Sequence, residues 1–163
     1  MIICGIDPGL TGAVAFIDHH GLRAVFDLPT MPRPNIGPAA SVKRVCDGRG
    51  LSVILRDQHD PREPMLVVLE DVRMLGGKNN SMQSQEALVH TRGVVEGVLA
   101  ARGHDLAIVS PRTWKAFFGL QADKNAALAL ARSFFGLEHL ARVKDHNRAE
   151  AMLIARYAQR TMT

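Results

Sequence analysis

Three carboxylates stand at positions that call for a chemical reason. Asp7 ends the apolar run Ile2, Ile3, Cys4, Gly5, Ile6 in GIDPG, and Glu70 ends a second apolar run, MLVVLE at 65–70. Nearly continuous apolar sequence suits inner strands covered on both faces, and Pro8 and Gly9 stop the first so that Asp7 takes its last position. Glu150 is the third. In a terminal helix its neighbours at plus three, four and seven are Leu153, Ile154 and Tyr157, which puts the acid on the stripe that faces the sheet. A buried carboxylate costs on the order of several kcal/mol unless it is paired or bound to metal. Neither Arg148 nor Arg156 lies three or four residues from Glu150, so a bridge within the helix does not account for it, and a partner elsewhere in the fold stays open. Asp-Pro-Gly by itself is a common turn tripeptide. Three such acids without an accompanying His and Cys pattern favour a hard cation with oxygen ligands, Mg²⁺ or Mn²⁺, and two such ions between carboxylates serve phosphodiester cleavage.

The elements that position these acids are legible in outline. Residues 1–6, 11–18 and 22–28 read as three leading strands, a hairpin and meander turning at His19, His20 and Gly21. Residues 29–40 carry four prolines and read as a loop or insertion, VKRVCDG as a short extended piece, and GLSVILRDQ as a helix. After the 65–70 strand, residues 71–80 form a polar Gly, Lys and Asn loop. A long helix is predicted over 81–102, a short strand over 106–110 and a helical turn from Pro111. Asp123 caps a further helix, and a last helix runs from near Asp145 or His146 to about Arg160. The carboxyl ends of inner strands are where ligand sites gather in such sheets. The order predicts one α/β domain over 1–163 with a mixed sheet.

The 163 residues, 47% hydrophobic and 22% charged, hold no apolar run long enough to span a membrane. The start lacks the marks of a secretory signal, so a cytoplasmic location is expected, with Cys4 and Cys46 both reduced. Net charge is +4, unevenly placed: residues 1–100 hold 10 Lys/Arg against 11 Asp/Glu, and residues 101–163 hold 10 against 5. A C-terminal basic excess favours a polyanionic partner such as nucleic acid.

GIDPG with Thr11 and Gly12, VVLEDV, RGVVEGVLAARG at 92–103, VSPRTWKAFFGL at 109–120, Lys124, and KDHNRAEAMLIARY at 144–157 occur in this order over most of the chain. The ordered set resembles the RuvC-type Holliday junction resolvases of the ribonuclease H-like superfamily, with the last two stretches closest to phage-type members. The resemblance implies a mixed sheet of three leading antiparallel strands followed by alternating helices and parallel strands. It implies a homodimeric, metal-dependent endonuclease that makes paired nicks in four-way DNA junctions, leaving 5′-phosphate ends, with two Mg²⁺ or Mn²⁺ ions per site.

Asp7, Glu70 and Glu150 match its ligand positions. The best-known bacterial pattern has a further acid three residues before the last, where this chain has Asn147. Asp145 is the expected fourth ligand, since a residue at the helix N-cap can turn back toward the site, and His146, one turn before Glu150, is the rival as ligand or as the group assisting water activation. Lys115, Lys124, Lys144 and Arg148 are expected to hold phosphates, and Lys78 sits in a loop able to reach a junction's backbone. Trp114, Phe117 and Phe118 read first as core. A catalytically silent junction-binding module is the alternative; an actin-like ATP-binding protein is disfavoured by the short chain and by the lack of a second Asp-Gly loop.

Overall fold

The computed structural model describes residues 1–33, 44–71, 82–121 and 124–163. Strands β1 (Ile2–Asp7), β2 (Ala13–Asp18) and β3 (Gly21–Asp27) lead the chain. Next come β4 (Thr30–Pro32), β5 (Arg44–Cys46), helix α1 (Gly48–Gln58) and β6 (Met65–Glu70). Helix α2 (Met82–Arg102), β7 (Asp105–Val109), α3 (Pro111–Phe117), α4 (Lys124–Phe135) and α5 (His146–Thr161) complete it. The main sheet has the order β3-β2-β1-β6-β7, antiparallel across β1, β2 and β3 and parallel across β1, β6 and β7. The mixed sheet is therefore the one its sequence indicates. Part of the proline-rich stretch departs from the expected loop, because Thr30–Pro32 pairs with Arg44–Cys46 as a two-stranded sheet. The expected cap Asp123 lies outside the described residues. Among those described, no helix is long and apolar enough to cross a membrane.

Strand alternation sorts the sheet into two cores. Ile2, Cys4, Ile6, Val67 and Leu69 face α1 and α2, meeting Leu51, Leu55, Val95 and Leu99. Ile3, Ala13, Ala15, Ile17, Val68 and Val109 face α5 with the buried faces of α3 and α4. β1 is covered on both sides, which is why its sequence shows no polar alternation.

The α5 side depends on small residues. A Cβ on Gly5 would lie 2.3 Å from the Ala151 carbonyl oxygen and 2.6 Å from the Ala155 nitrogen, so the α5 backbone rests directly on β1. Ala15 pairs with Gly5 across the β1–β2 ladder, and Ala151, Ala155 and Ala158 are wholly buried. The helix runs antiparallel to β1. Its start lies toward the Asp7 end, and near its other end Gln159 donates to the Asp18 carbonyl at 2.7 Å.

Gly5→Ala forces backbone against backbone and is expected to destabilise the fold by about 1–3 kcal/mol. Gly93→Ala on the open face of α2, where nothing lies within 4 Å of the new methyl, should be neutral or stabilise by up to about 1 kcal/mol. Urea unfolding of the two variants checks this, and equal effects would contradict the close approach.

Candidate active site

Register brings the first two acids together. Ile6 pairs with Leu69 in the parallel β1–β6 ladder, so Asp7 and Glu70 are the next residues of one row and lie on neighbouring strands about 5 Å apart. Odd-numbered β1 residues and even-numbered β6 residues face α5, as Ile3 and Val68 do, which puts both acids under that helix. The turn after Asp7 is tight: the Gly12 amide donates to the Gly9 carbonyl at 2.8 Å, and a Cβ at Gly12 would stand 2.0 Å from the Asp7 carbonyl oxygen. Glu150, on the first turns of α5, closes the site from above and is buried, as is Glu70.

Two neighbouring residues of α3 supply the donors that make this burial tolerable. The Trp114 indole Nε1 donates to Glu70 Oε1 at 2.8 Å, and Lys115 Nζ donates to Glu150 Oε1 at 2.9 Å. Ser110 holds α3 in place by accepting from the Thr113 amide at the end of β7, with Pro111 in the first turn. Lys115 Nζ also lies 5.0 Å from the Trp114 ring centroid. Burial pushes the Glu70 carboxyl above its ordinary range; the Trp114 N–H and the Lys115 charge pull the other way, and the nearby Glu150 pushes up again. Two carboxylates thus share one ammonium and one neutral N–H.

The start of α5 is wired differently. Asp145 is the N-cap residue but makes no side-chain cap bond. Its buried carboxylate accepts from the Arg142 amide at 2.8 Å and from the Arg142 guanidinium at 2.6 and 2.9 Å, which holds it below the usual carboxylate range. Arg148 forms a forked pair with Asp27 at 2.6 and 2.9 Å. Asn147 Nδ2 donates to the Thr11 carbonyl and hydroxyl, fastening the β1–β2 turn to α5. His146 Nδ1 is buried without a hydrogen-bond partner. Together with the exposed Lys144 these groups line an open groove of about 570 Å³.

The structure therefore brings Glu70, Glu150 and Lys115 together, with Asp7 beside Glu70 on the adjoining strand. It turns Asp145 toward Arg142 and Arg148 toward Asp27, and places Lys144 and His146 in the groove. Lys78 lies outside the described residues, as does the side chain of Lys124. Trp114 is core, as expected, but it also donates to an acid, while Phe117 is half exposed. Trp114 as a donor, Asn147 as a fastener, and Asp27 and Arg142 as partners were not singled out by sequence reasoning. Only Trp114 carried a signal, being the chain's single Trp next to a Lys just after a strand.

The buried Glu70 and Glu150 and the partly buried Asp7 offer oxygen donors in a net-negative setting, which is the chemistry a hard divalent cation takes. Among the described residues no three His, Cys, Asp or Glu side chains are already gathered as one cation site.

Because Glu70 is held more readily protonated in the fold than in the unfolded chain, its stability contribution is fully present below the ordinary glutamate range and is lost as pH rises through the folded pKa. In chelator, Glu70→Gln should therefore gain stability over the wild type as pH rises from about 4 to 8, reading as a difference in Tm that grows with pH. A pH-independent difference would contradict the burial effect. Asp27 and Asp145 have the opposite sign, their contribution being lost on acidification.

No known family's sequence model matches the chain, and no curated protein matches it by sequence. Solved structures do. Thermus thermophilus RuvC in complex with Holliday junction substrate is similar at a TM-score of 0.64, with 16% identity, over 98% of this chain and 95% of that one. A second T. thermophilus RuvC structure is similar at 0.57, with 21% identity, over 100% and 98%. At such identities the likeness is one of fold. The chain has a RuvC-like fold of the mixed α/β, ribonuclease H-like class.

Proposed function

We propose that the chain is a metal-dependent endodeoxyribonuclease that resolves four-way DNA junctions by paired nicks leaving 5′-phosphate ends. The observation that carries this reading is the buried Glu70 and Glu150 pair, held by Trp114 and Lys115 beside Asp7 at the carboxyl ends of two inner strands. The RuvC-like fold supports it, since one similar RuvC structure holds a Holliday junction substrate.

Asp7, Glu70 and Glu150 would hold Mg²⁺ or Mn²⁺, with Asp145 or His146 as a further ligand; when bound, such ions supply Lewis acidity at phosphoryl oxygens and make water acidic enough to attack. Asp145 would first have to leave Arg142, whereas His146 Nδ1 has no partner to leave, so His146 is the less encumbered candidate, as ligand or as proton acceptor for the attacking water. Trp114 fixes the orientation of the Glu70 carboxylate. Lys115 neutralises Glu150 before substrate arrives and can then turn its ammonium to donate hydrogen bonds to the non-bridging oxygens of the scissile phosphate. Lys144, with Lys78 and Lys124, would bind neighbouring phosphates, and Arg148, forked onto Asp27, presents its outer edge to the same groove. A homodimer would supply the second nick, and the open face of α2, with Val89, Gly93 and Gly97 exposed, is the surface suited to it.

A catalytically silent junction-binding module is the second reading, favoured by the Lys115–Glu150 pair, which already balances one acid. Labelled four-way junction and linear duplex of the same sequence, with and without Mg²⁺, separate the two. Symmetrical nicks are expected in the junction with metal, and Asp7→Asn, Glu70→Gln and Glu150→Gln should each lower the rate by more than the ~10–100-fold typical of residues behind the ligands, with Asp7→Asn keeping its binding. Binding without cleavage by the wild type would establish the silent module. Comparison of Asp145→Asn with His146→Ala identifies the fourth residue by which loss is greater.

A further inference from the structure

The protein has eight aromatic residues, and five of them lie in one chain of ring contacts on one side of the molecule. Phe117 meets Tyr157 edge-on at 5.3 Å and Phe118 at 5.0 Å; Phe118 meets Phe134 at 6.0 Å, and Phe134 meets Phe135 at 6.2 Å. Phe118, Phe135 and Tyr157 are seated on the core, but Phe117 is 48% and Phe134 46% exposed. Two large rings backed by three others are thus left facing water on a chain that is only 5% aromatic.

Placement narrows what would cover them. Phe117 is on the same short helix as Lys115, and Tyr157 is two turns along α5 from Glu150, about 10 Å away. The Arg156 guanidinium lies over the Phe134 ring at 5.8 Å, so the far end of the ridge carries a cation, in a hollow that Asp18, already paired with Arg23, and Glu138 also line. The ridge residues belong to the segment 101–163, in which Lys and Arg outnumber Asp and Glu by 10 to 5. Exposed aromatic rings with a guanidinium beside one of them suit an anionic polymer whose bases offer π-faces.

We propose that Phe117 and Phe134, backed by Phe118 and Tyr157, form a stacking ridge for the unpaired bases of a nucleic-acid strand that leaves the acid site along α5. The proposal rests on the nucleic-acid reading of that site. Paired bases hide their faces in the duplex, so the ridge favours strands that are open beside the cleavage point.

The test compares a short labelled oligothymidine with an abasic strand of equal length, by fluorescence anisotropy in chelator so that no cleavage occurs. The wild type should bind the base-bearing strand about 10-fold more tightly than the abasic one. Phe117→Ala should bring that ratio close to one with the abasic affinity unchanged, and Phe117→Trp should keep it. Phe134→Ala, on a different helix, should reduce it too, which keeps the outcome readable if either alanine variant folds poorly. A ratio near one in the wild type, or one that survives both alanine substitutions, overturns the ridge while leaving the nuclease reading intact. Self-association of the wild type that Phe117→Ala dissolves also overturns it, by making the ridge a contact between copies. Failure of the wild type to bind either strand or a four-way junction overturns the nucleic-acid reading itself.

Discussion

The contact of α5 with β1 governs the rest of this molecule. No Cβ fits at Gly5 beneath the Ala151 carbonyl, and the alanines around it let a helix backbone lie on a strand backbone. That height fixes how far Glu150 stands above the row formed by Asp7 and Glu70. Larger residues under α5 would lift the helix and with it the third acid, while the sheet and its two strand-end acids would stay as they are. Asn147 adds a second fastening, from the first turn of α5 to Thr11 in the turn that follows Asp7. The acid cluster is thus defined by backbone proximity, and side chains complete it.

Charge explains why the cluster carries its own donors. Burial makes Glu70 hold its proton more tightly, and repulsion from the nearby Glu150 adds to this. Trp114 and Lys115 relieve this from one helix, the first with a neutral N–H and the second with a full charge. The two side chains differ in mobility. Trp114 is wholly buried and fixed, while Lys115 is a flexible stem with a partly exposed head, so its charge can follow the needs of the site. Beyond the acids, Arg142 and Arg148 are anchored by carboxylates and Lys144 is exposed, giving the neighbouring groove fixed and adaptable cations side by side.

Much of this was legible in the sequence because it is local. Apolar runs ending in an acid mark β1 and β6, helical spacing marks the buried face on which Glu150 lies, and Pro111 after a strand marks α3. Partnerships were not legible. Glu150 finds Lys115 35 residues away, Glu70 finds Trp114 across 44, and Arg148 finds Asp27 across 121, separations that no periodicity encodes. Asp145 shows the same limit at short range: its place at the N-cap was readable, but its carboxylate turns to Arg142, a contact set by the preceding turn. The half-exposed Phe117 was read as core because helical spacing cannot tell which side of a short helix lacks a neighbour.

On the proposed reading, the Glu70 and Glu150 pair takes a divalent cation. Titration of Mn²⁺ into the protein without DNA, followed by calorimetry or by the loss of the free-ion paramagnetic signal, tests it most directly. Saturable binding is expected in the wild type, strongly weakened in Glu70→Gln and Glu150→Gln, and tightened in Lys115→Met, where the competing ammonium is gone. Equal Mn²⁺ binding in all four proteins, or none in Lys115→Met, would contradict the account.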